Sequence, residues 1–224
     1  MKFGIFGDSF ASALHEGQDY NELTWVTQLA RMLGATELDY HAYGGSPFYY
    51  SYNKILELGS QYDRIIFAVT EPSRYTKKIS NKFITNIHCL DSLPARVSRP
   101  ISGWFLSQDY SFMFTVQQLM IDRLVSLFPN IILIPSFRDS LSPQRLQPLW
   151  TNFALEDISH YSAKQCGQSE HYREIIGPMA TLCHIPVEWH QDIAHMLYNS
   201  LVHGKPALLP NLLHKYPKSH YYQL

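Results

Sequence analysis

Lys2-Phe-Gly-Ile-Phe-Gly-Asp-Ser-Phe10 is the stretch that decides the fold. Lys2 to Phe6 is a short apolar run, and it breaks at once into Gly7-Asp8-Ser9. A compact apolar run ending in a glycine turn fits a central strand of a parallel sheet. Downstream, Trp25, Val26, Leu29, Met32 and Leu33 recur at helical spacing, with Gly34 placed to stop the helix. Glu37 to Tyr43 reads as a second strand ending in Gly44-Gly45-Ser46-Pro47. Pro47 suits the first turn of a helix through Tyr52, Ile55 and Leu56, which Gly59 is expected to end. Arg64 to Thr70 is the clearest strand, closed by Glu71-Pro72. Strand, helix, strand, helix, strand in this order implies a parallel sheet with crossover helices.

Beyond Pro72 the pattern is irregular to about residue 108, and this stretch reads as an insertion or a partner-binding loop. Helical spacing returns from Phe112 to Phe128. Asn130 to Pro135 follows as a run of consecutive apolar residues, the mark of a strand covered on both faces. Cys183 to Val187 reads as a last strand. Ile193, Met196, Leu197 and Leu201 then form one helical face, with Asp192 as the expected N-cap and Gly204 as the stop. Residues 1–204 thus read as one α/β domain, and 205–224, with three prolines, as a surface tail.

Composition narrows the function classes. The 224 residues are 46% hydrophobic and 17% charged, which suits one sizeable core. A formal net charge of −1 gives no field to attract nucleic acid or an anionic membrane surface. No signal-peptide pattern or membrane-length apolar run is seen, so a cytoplasmic location is expected. Cys89, Cys166 and Cys183 are widely spaced and include no Cys-x-x-Cys pair, against a disulfide framework or structural zinc. His184, His190 and His195 do not fall on one helical face, so no metal is expected, and no motif calls for a cofactor.

In an open α/β sheet, sites form at the carboxyl ends of the strands. Those ends carry Ser9, then Gly44-Gly45, then Thr70-Glu71, and the approach to the last helix carries His190. Ser9, if a helix starts at Phe10, would stand at that helix's positive end, where an alkoxide-like charge is favoured. The bland alternative makes Asp8 or Ser9 a helix cap. The glycines can offer bare N–H groups to a substrate oxygen, or they are an ordinary turn. A serine hydroxyl needs a base, and histidine suits the task near neutral pH. His190 lies on a loop able to reach Ser9. His195 lies inside the helix, where Asp192 at i−3 would orient it.

Gly7-Asp8-Ser9, Ala42-Tyr43-Gly44-Gly45-Ser46 and His190-Gln191-Asp192 resemble, in order, three of the sequence blocks of SGNH/GDSL hydrolases. The chain is similar in particular to the divergent SGNH-like proteins of phage and bacterial genomes. The resemblance implies a three-layer α/β/α flavodoxin-like fold with a mainly parallel sheet. It implies Ser9 as nucleophile and His190 as base. The oxyanion hole would comprise the N–H groups of Ser9 and of Gly44 or Gly45, with Thr70 as an added donor. The substrate would be a small-molecule or glycan ester, such as a carbohydrate O-acetyl group. Tyr43, Phe48, Tyr49, Tyr50 and Tyr52 offer rings to stack on a sugar, or, as the favoured alternative, are core and helix-face residues.

Two departures stand out. The third block of the family carries an asparagine donor, where this chain has Val69-Thr70-Glu71-Pro72. The acid normally three residues before the histidine falls on Val187, with Glu188 nearby. Asp192-Ile193-Ala194-His195 has the family's spacing, but would push the helix into Gly204-Lys205-Pro206. His190 is therefore the expected base and His195 with Asp192 the alternative. These departures also fit a rival from another class, an SGNH-like scaffold that binds glycans or assembles without catalysing.

Overall fold

The computed structural model describes residues 1–12, 14–15, 18–19, 21–72, 74, 77–79, 82–84, 99, 103, 107, 109–138, 140–142, 154–155, 181–182, 185–186 and 189–207. Most of the expected insertion and of the tail lies outside them, as does Glu188. The main elements, in chain order, are β1 (Lys2–Gly7), α1 (Trp25–Met32), β2 (Glu37–Ala42), α2 (Phe48–Leu58), β3 (Arg64–Val69), α3 (Tyr110–Leu127), β4 (Ile131–Pro135) and α4 (His190–His203).

The four strands form one sheet in the order β2-β1-β3-β4, with every neighbouring pair parallel. Its faces are covered separately. Phe3 and Ile5 of β1, with Ile66, Ala68 and Ile134, pack under Trp25, Val26 and Leu29 of α1 and Ile193 and Leu197 of α4. Phe6, Ile65, Phe67 and Val69 point the other way, under Phe48, Tyr52 and Ile55 of α2 and Ile121 and Leu124 of α3. The alternation of side chains along a strand makes this division. The protein is thus a three-layer α/β/α fold with a parallel sheet. The chain winds from β1 to β2 on one side and reaches β3 on the other, so the strand order reverses between β1 and β3, where such folds hold ligands.

Capping explains several element ends. The Thr24 hydroxyl accepts from Thr27 N at 3.3 Å, and Asp109 accepts from Phe112 N at 3.2 Å. The Asp109 cap starts α3 at Tyr110, two residues before the expected point. α4 stops at Gly204 in the left-handed conformation, φ 65°, as expected. Gly59, by contrast, has φ −57° and carries the chain into a 3-10 turn at Gly59–Gln61. Its lack of a side chain serves packing, since a Cβ there would lie 2.7 Å from the Phe128 ring.

Three local expectations need correction. The residues after Ser9 make a turn rather than a helix, and the short antiparallel pair Leu14–His15 and Gln18–Asp19 precedes α1. The helix-dipole argument for Ser9 therefore lapses. Ile185–Pro186 pairs antiparallel with Thr181–Leu182 and does not join the main sheet. α4 begins at His190, so Asp192 sits in its first turn and is not its cap. Among the described residues, no helix is long and apolar enough to cross a membrane.

Candidate functional site

The carboxyl edge of the sheet gathers three of the expected segments. Gly7 ends β1 at φ 145°, and a Cβ there would lie 2.7 Å from the Ala68 carbonyl oxygen on β3. Only glycine fits that approach and that φ. The chain then turns, with Ala11 N donating to Asp8 O at 3.1 Å, and Ser9 stands part-exposed within the turn. No described residue engages the Ser9 amide or hydroxyl.

Beside it, Tyr43 N donates to Gly7 O at 3.3 Å and draws the end of β2 to the end of β1. Ser46 N closes a turn onto Tyr43 O at 3.0 Å, with Gly44 and Gly45 at its centre. Gly45 has φ 71°, the sign that the third position of a type II turn demands. A Cβ on Gly44 would meet nothing within 4 Å, so this turn faces open space. On the far side, Thr70 follows β3, 2% exposed, and its hydroxyl oxygen has no hydrogen-bond partner among the described residues. Of the five aromatics near the glycine turn, Phe48 and Tyr52 are core residues, whereas Tyr43 and Tyr49 are exposed.

Sequence reading missed the group that holds the turn. Asp8 is fully buried. Its Oδ1 accepts from Phe10 N at 3.0 Å and from the Ser136 hydroxyl at 3.2 Å, and Oδ2 lies 3.6 Å from Arg74 Nη1. Burial raises the Asp8 pKa above its ordinary value. Arg74, the Phe10 N–H and the Ser136 hydroxyl oppose that shift without cancelling it. Arg74 also binds Glu71 Oε1 through Nε at 3.2 Å and lies 4.6 Å from the Phe137 ring centre. Glu71 is thereby paired with a cation at the strand end. Ser136 and Arg74 each follow a strand end, and that position is the signal that would have found them.

The histidines are placed differently from each other. His190 is fully buried, and its Nδ1 accepts from Trp25 N at 2.8 Å. Trp25 is the first residue of α1, so the imidazole supplies an acceptor to one of the helix's orphan N–H groups. Accepting at Nδ1 leaves the proton of the neutral ring on Nε2. A triad base needs the opposite tautomer, with Nε2 accepting from the serine. The Trp25 indole N–H in turn donates to Phe10 O at 2.8 Å, so His190 reaches the Ser9 turn through Trp25. His195 is exposed on the outer face of α4, and its Nδ1 lies 2.8 Å from Gln191 O. Nδ1–H donates to that carbonyl, leaving Nε2 free to accept. The carbonyl therefore takes the orienting part expected of Asp192.

An apolar groove opens from the same edge on the α2–α3 side. Its volume is about 310 Å³, and Phe48, Tyr49, Pro72, Phe112, Met113, Val116 and Met120 line it together with Arg74 and Gln117. Arg74 thus touches both the groove and the buried carboxylate behind Ser9. Gln117 is 3% exposed, and its Nε2 donates to Thr70 O and Ser140 O, each at 3.0 Å. Among the described residues, no group of three or more His, Cys, Asp or Glu side chains is placed to hold a metal ion.

No protein-family model matches the chain, and no curated protein matches it. Among solved structures it is similar to a member of the lipolytic protein G-D-S-L family from Veillonella parvula DSM 2008. That likeness has 11% identity and a TM-score of 0.36, covering 90% of this chain and 97% of the other.

Proposed function

We propose that this protein is an ester hydrolase of SGNH type in which Ser9 attacks the acyl carbonyl. One observation carries the reading. Ser9, with no described partner, occupies a rigidly held turn at the strand-order reversal, next to a second turn of bare glycine amides. The Ser9 N–H and those of Gly44 and Gly45 are the proposed oxyanion donors, with the Thr70 hydroxyl as the substitute for the family's asparagine. The attack forms a tetrahedral intermediate, and its collapse releases the alcohol and leaves the acyl group on Ser9. Water then cleaves that acyl-enzyme.

The proton acceptor is an imidazole, and His190 and His195 are the two proposed sources. His190 would have to release the Trp25 amide to present an accepting Nε2. His195 already has that tautomer, although it stands on the outer face of its helix. A carbohydrate O-acetyl ester draws support from the exposed Tyr43 and Tyr49 alone.

The second reading, a binding module without catalysis, is favoured by the use of His190 as a cap on α1. Hydrolysis of p-nitrophenyl acetate by wild type and Ser9→Ala decides between them. The hydrolase reading expects Ser9→Ala to lose at least about a thousandfold in kcat/KM with unchanged thermal stability. It also expects wild type alone to be labelled by a fluorophosphonate. Wild-type protein that is both inactive and unlabelled would leave the binding module.

A further inference from the structure

The turn that carries Ser9 is closed twice by Asp8. The Asp8 carbonyl takes the Ala11 N–H at 3.1 Å, and Oδ1 takes the Phe10 N–H at 3.0 Å. The second bond fixes the peptide unit that joins Ser9 to Phe10. An ionised carboxylate makes such a bond roughly twice as strong as a neutral acceptor does. Yet Asp8 is fully buried, and burial penalises its charged form.

Among the described residues, the cation that faces Asp8 is Arg74. Its Nη1 lies 3.6 Å from Oδ2, too far for a hydrogen bond, and Oδ2 has no other described hydrogen-bond partner. Arg74 therefore acts on Asp8 through its charge, which in a dry interior reaches beyond hydrogen-bond distance. The β4 side presents the neutral Ser136 hydroxyl, and Glu71 Oε1 meets the same guanidinium at Nε. Arg74 is itself well held. Its N–H closes a turn on Glu71 O at 3.3 Å, and its side chain is 12% exposed. The guanidinium lies over the Phe137 ring, which meets Phe10 edge-on at 5.4 Å between ring centres. The segments that follow β1, β3 and β4 thus converge on one cation.

We infer that Arg74 is a positioning residue of the Ser9 site, its charge holding in place the Asp8 carboxylate that fixes the nucleophile turn. The effect on turnover rests on the hydrolase reading, whereas the clamp on the turn does not.

The test is an NMR titration of protein carrying 13C in its aspartate carboxyls and 15N in its amides. The carboxyl signal missing from Asp8→Asn identifies Asp8. Arg74 holds the Asp8 pKa down, so in Arg74→Gln the carboxyl should titrate at higher pH than in wild type. Glu71→Gln leaves the guanidinium facing Asp8 alone, and the titration should move to lower pH. Arg74→Lys keeps the charge and should stay near wild type. The Ser9 and Phe10 amide signals should follow the carboxyl in every case. On p-nitrophenyl acetate at pH 7, Arg74→Gln should lose roughly 10- to 100-fold in kcat with KM within about twofold. Arg74→Lys should restore most of that loss, and in an Asp8→Asn background Arg74→Gln should cost nothing further.

An Asp8 titration that moves in neither variant, or the same way in both, overturns the coupling. Glu71 is part-exposed, so Glu71→Gln decides alone should Arg74→Gln fail to fold, and no downward move then overturns it. An unchanged kcat in Arg74→Gln, or an equal loss in Arg74→Lys, overturns the positioning role. Opposite shifts in a wild-type protein without esterase activity would sink the hydrolase reading and leave the clamp standing. Ser9-dependent activity with an unmoved Asp8 would do the reverse.

Discussion

The two faces of the sheet are built to different standards. On the α1–α4 face, Trp25, Val26, Leu29, Trp189, His190, Ile193 and Leu197 are all fully buried, and the two helices pack against each other. Trp25 gives its indole N–H to Phe10 and its backbone N–H to His190, so both of its donors are used in a dry core. On the α2–α3 face, α3 buries only Gln117, Ile121 and Leu124 of its 18 residues. Phe112 and Leu119 are 66% and 63% exposed, and a groove opens between α3, the start of α2 and the residues Pro72 and Arg74. One face fixes the Ser9 turn from behind, and the other leaves space for a ligand in front. A site needs both properties, because a catalytic group must be held still while its substrate enters.

The widest test of this contrast removes one large side chain from each face. Trp25→Ala should destabilise the fold by about 3–5 kcal/mol in urea unfolding, through lost burial and an unpaired Phe10 carbonyl. Leu119→Ser on the open face should stay within about 0.5 kcal/mol of wild type. A large loss from Leu119→Ser would mean that α3 is covered in solution, and the contrast between the faces would fail.

His190 offers a sharper test, since cap and base predict opposite results for one substitution. His190→Ala should cost about 2 kcal/mol, leaving the Trp25 N–H unpaired in a core where unsatisfied donors cost about 1–3 kcal/mol. His190→Asn keeps a side-chain oxygen able to accept that N–H and should recover part of the loss. If the cap is its whole task, esterase activity in His190→Asn stays near wild type. Activity abolished in His190→Asn, with stability recovered, would instead assign the base to His190 and require its ring to turn in the working enzyme.

The fold was legible in the sequence because three of the four strands of the sheet are nearly continuous apolar runs, while the edge strand Glu37–Ala42 is marked by the Gly44-Gly45 turn that follows it. Lys2 to Gly7, Arg64 to Val69 and Ile131 to Pro135 could hardly be read otherwise. Ser9 was legible for the same reason, since it stands at the end of the first of those runs. What was hidden are partners separated along the chain. Asp8 and Ser136 are 128 residues apart, and Trp25 and His190 are 165 apart. Spacing can mark His190 as a histidine near a helix start, but it cannot show that its Nδ1 meets an amide on another helix. Asp8 was read as part of a loop motif because burial is decided by Ser136 and Arg74, which no local pattern connects to it. Gln117 was passed over inside an apolar helix, although a glutamine in the buried stripe is itself the clue.

The smallest expected effect lies at the edge of the sheet, away from both helices of the dry face. His41 on β2 shares a 2.7 Å hydrogen bond with the Tyr62 hydroxyl and stacks on Phe6 with ring centres 4.8 Å apart. Burial holds its pKa below the ordinary histidine value of 6.5, and the Asp39 carboxylate only partly offsets this. A folded-state pKa below the unfolded one means that the unfolded chain takes up the proton first as pH falls. The neutral ring's contribution is therefore complete above the unfolded value, about 6.5, and is lost as pH drops from there through the folded pKa. Urea midpoints measured from pH 8 to pH 5 should fall less steeply for His41→Gln than for wild type. Identical slopes would show that protonated His41 is tolerated in place, with Asp39 and solvent compensating fully. The half-open face of the sheet would then be more polar in practice than its packing suggests.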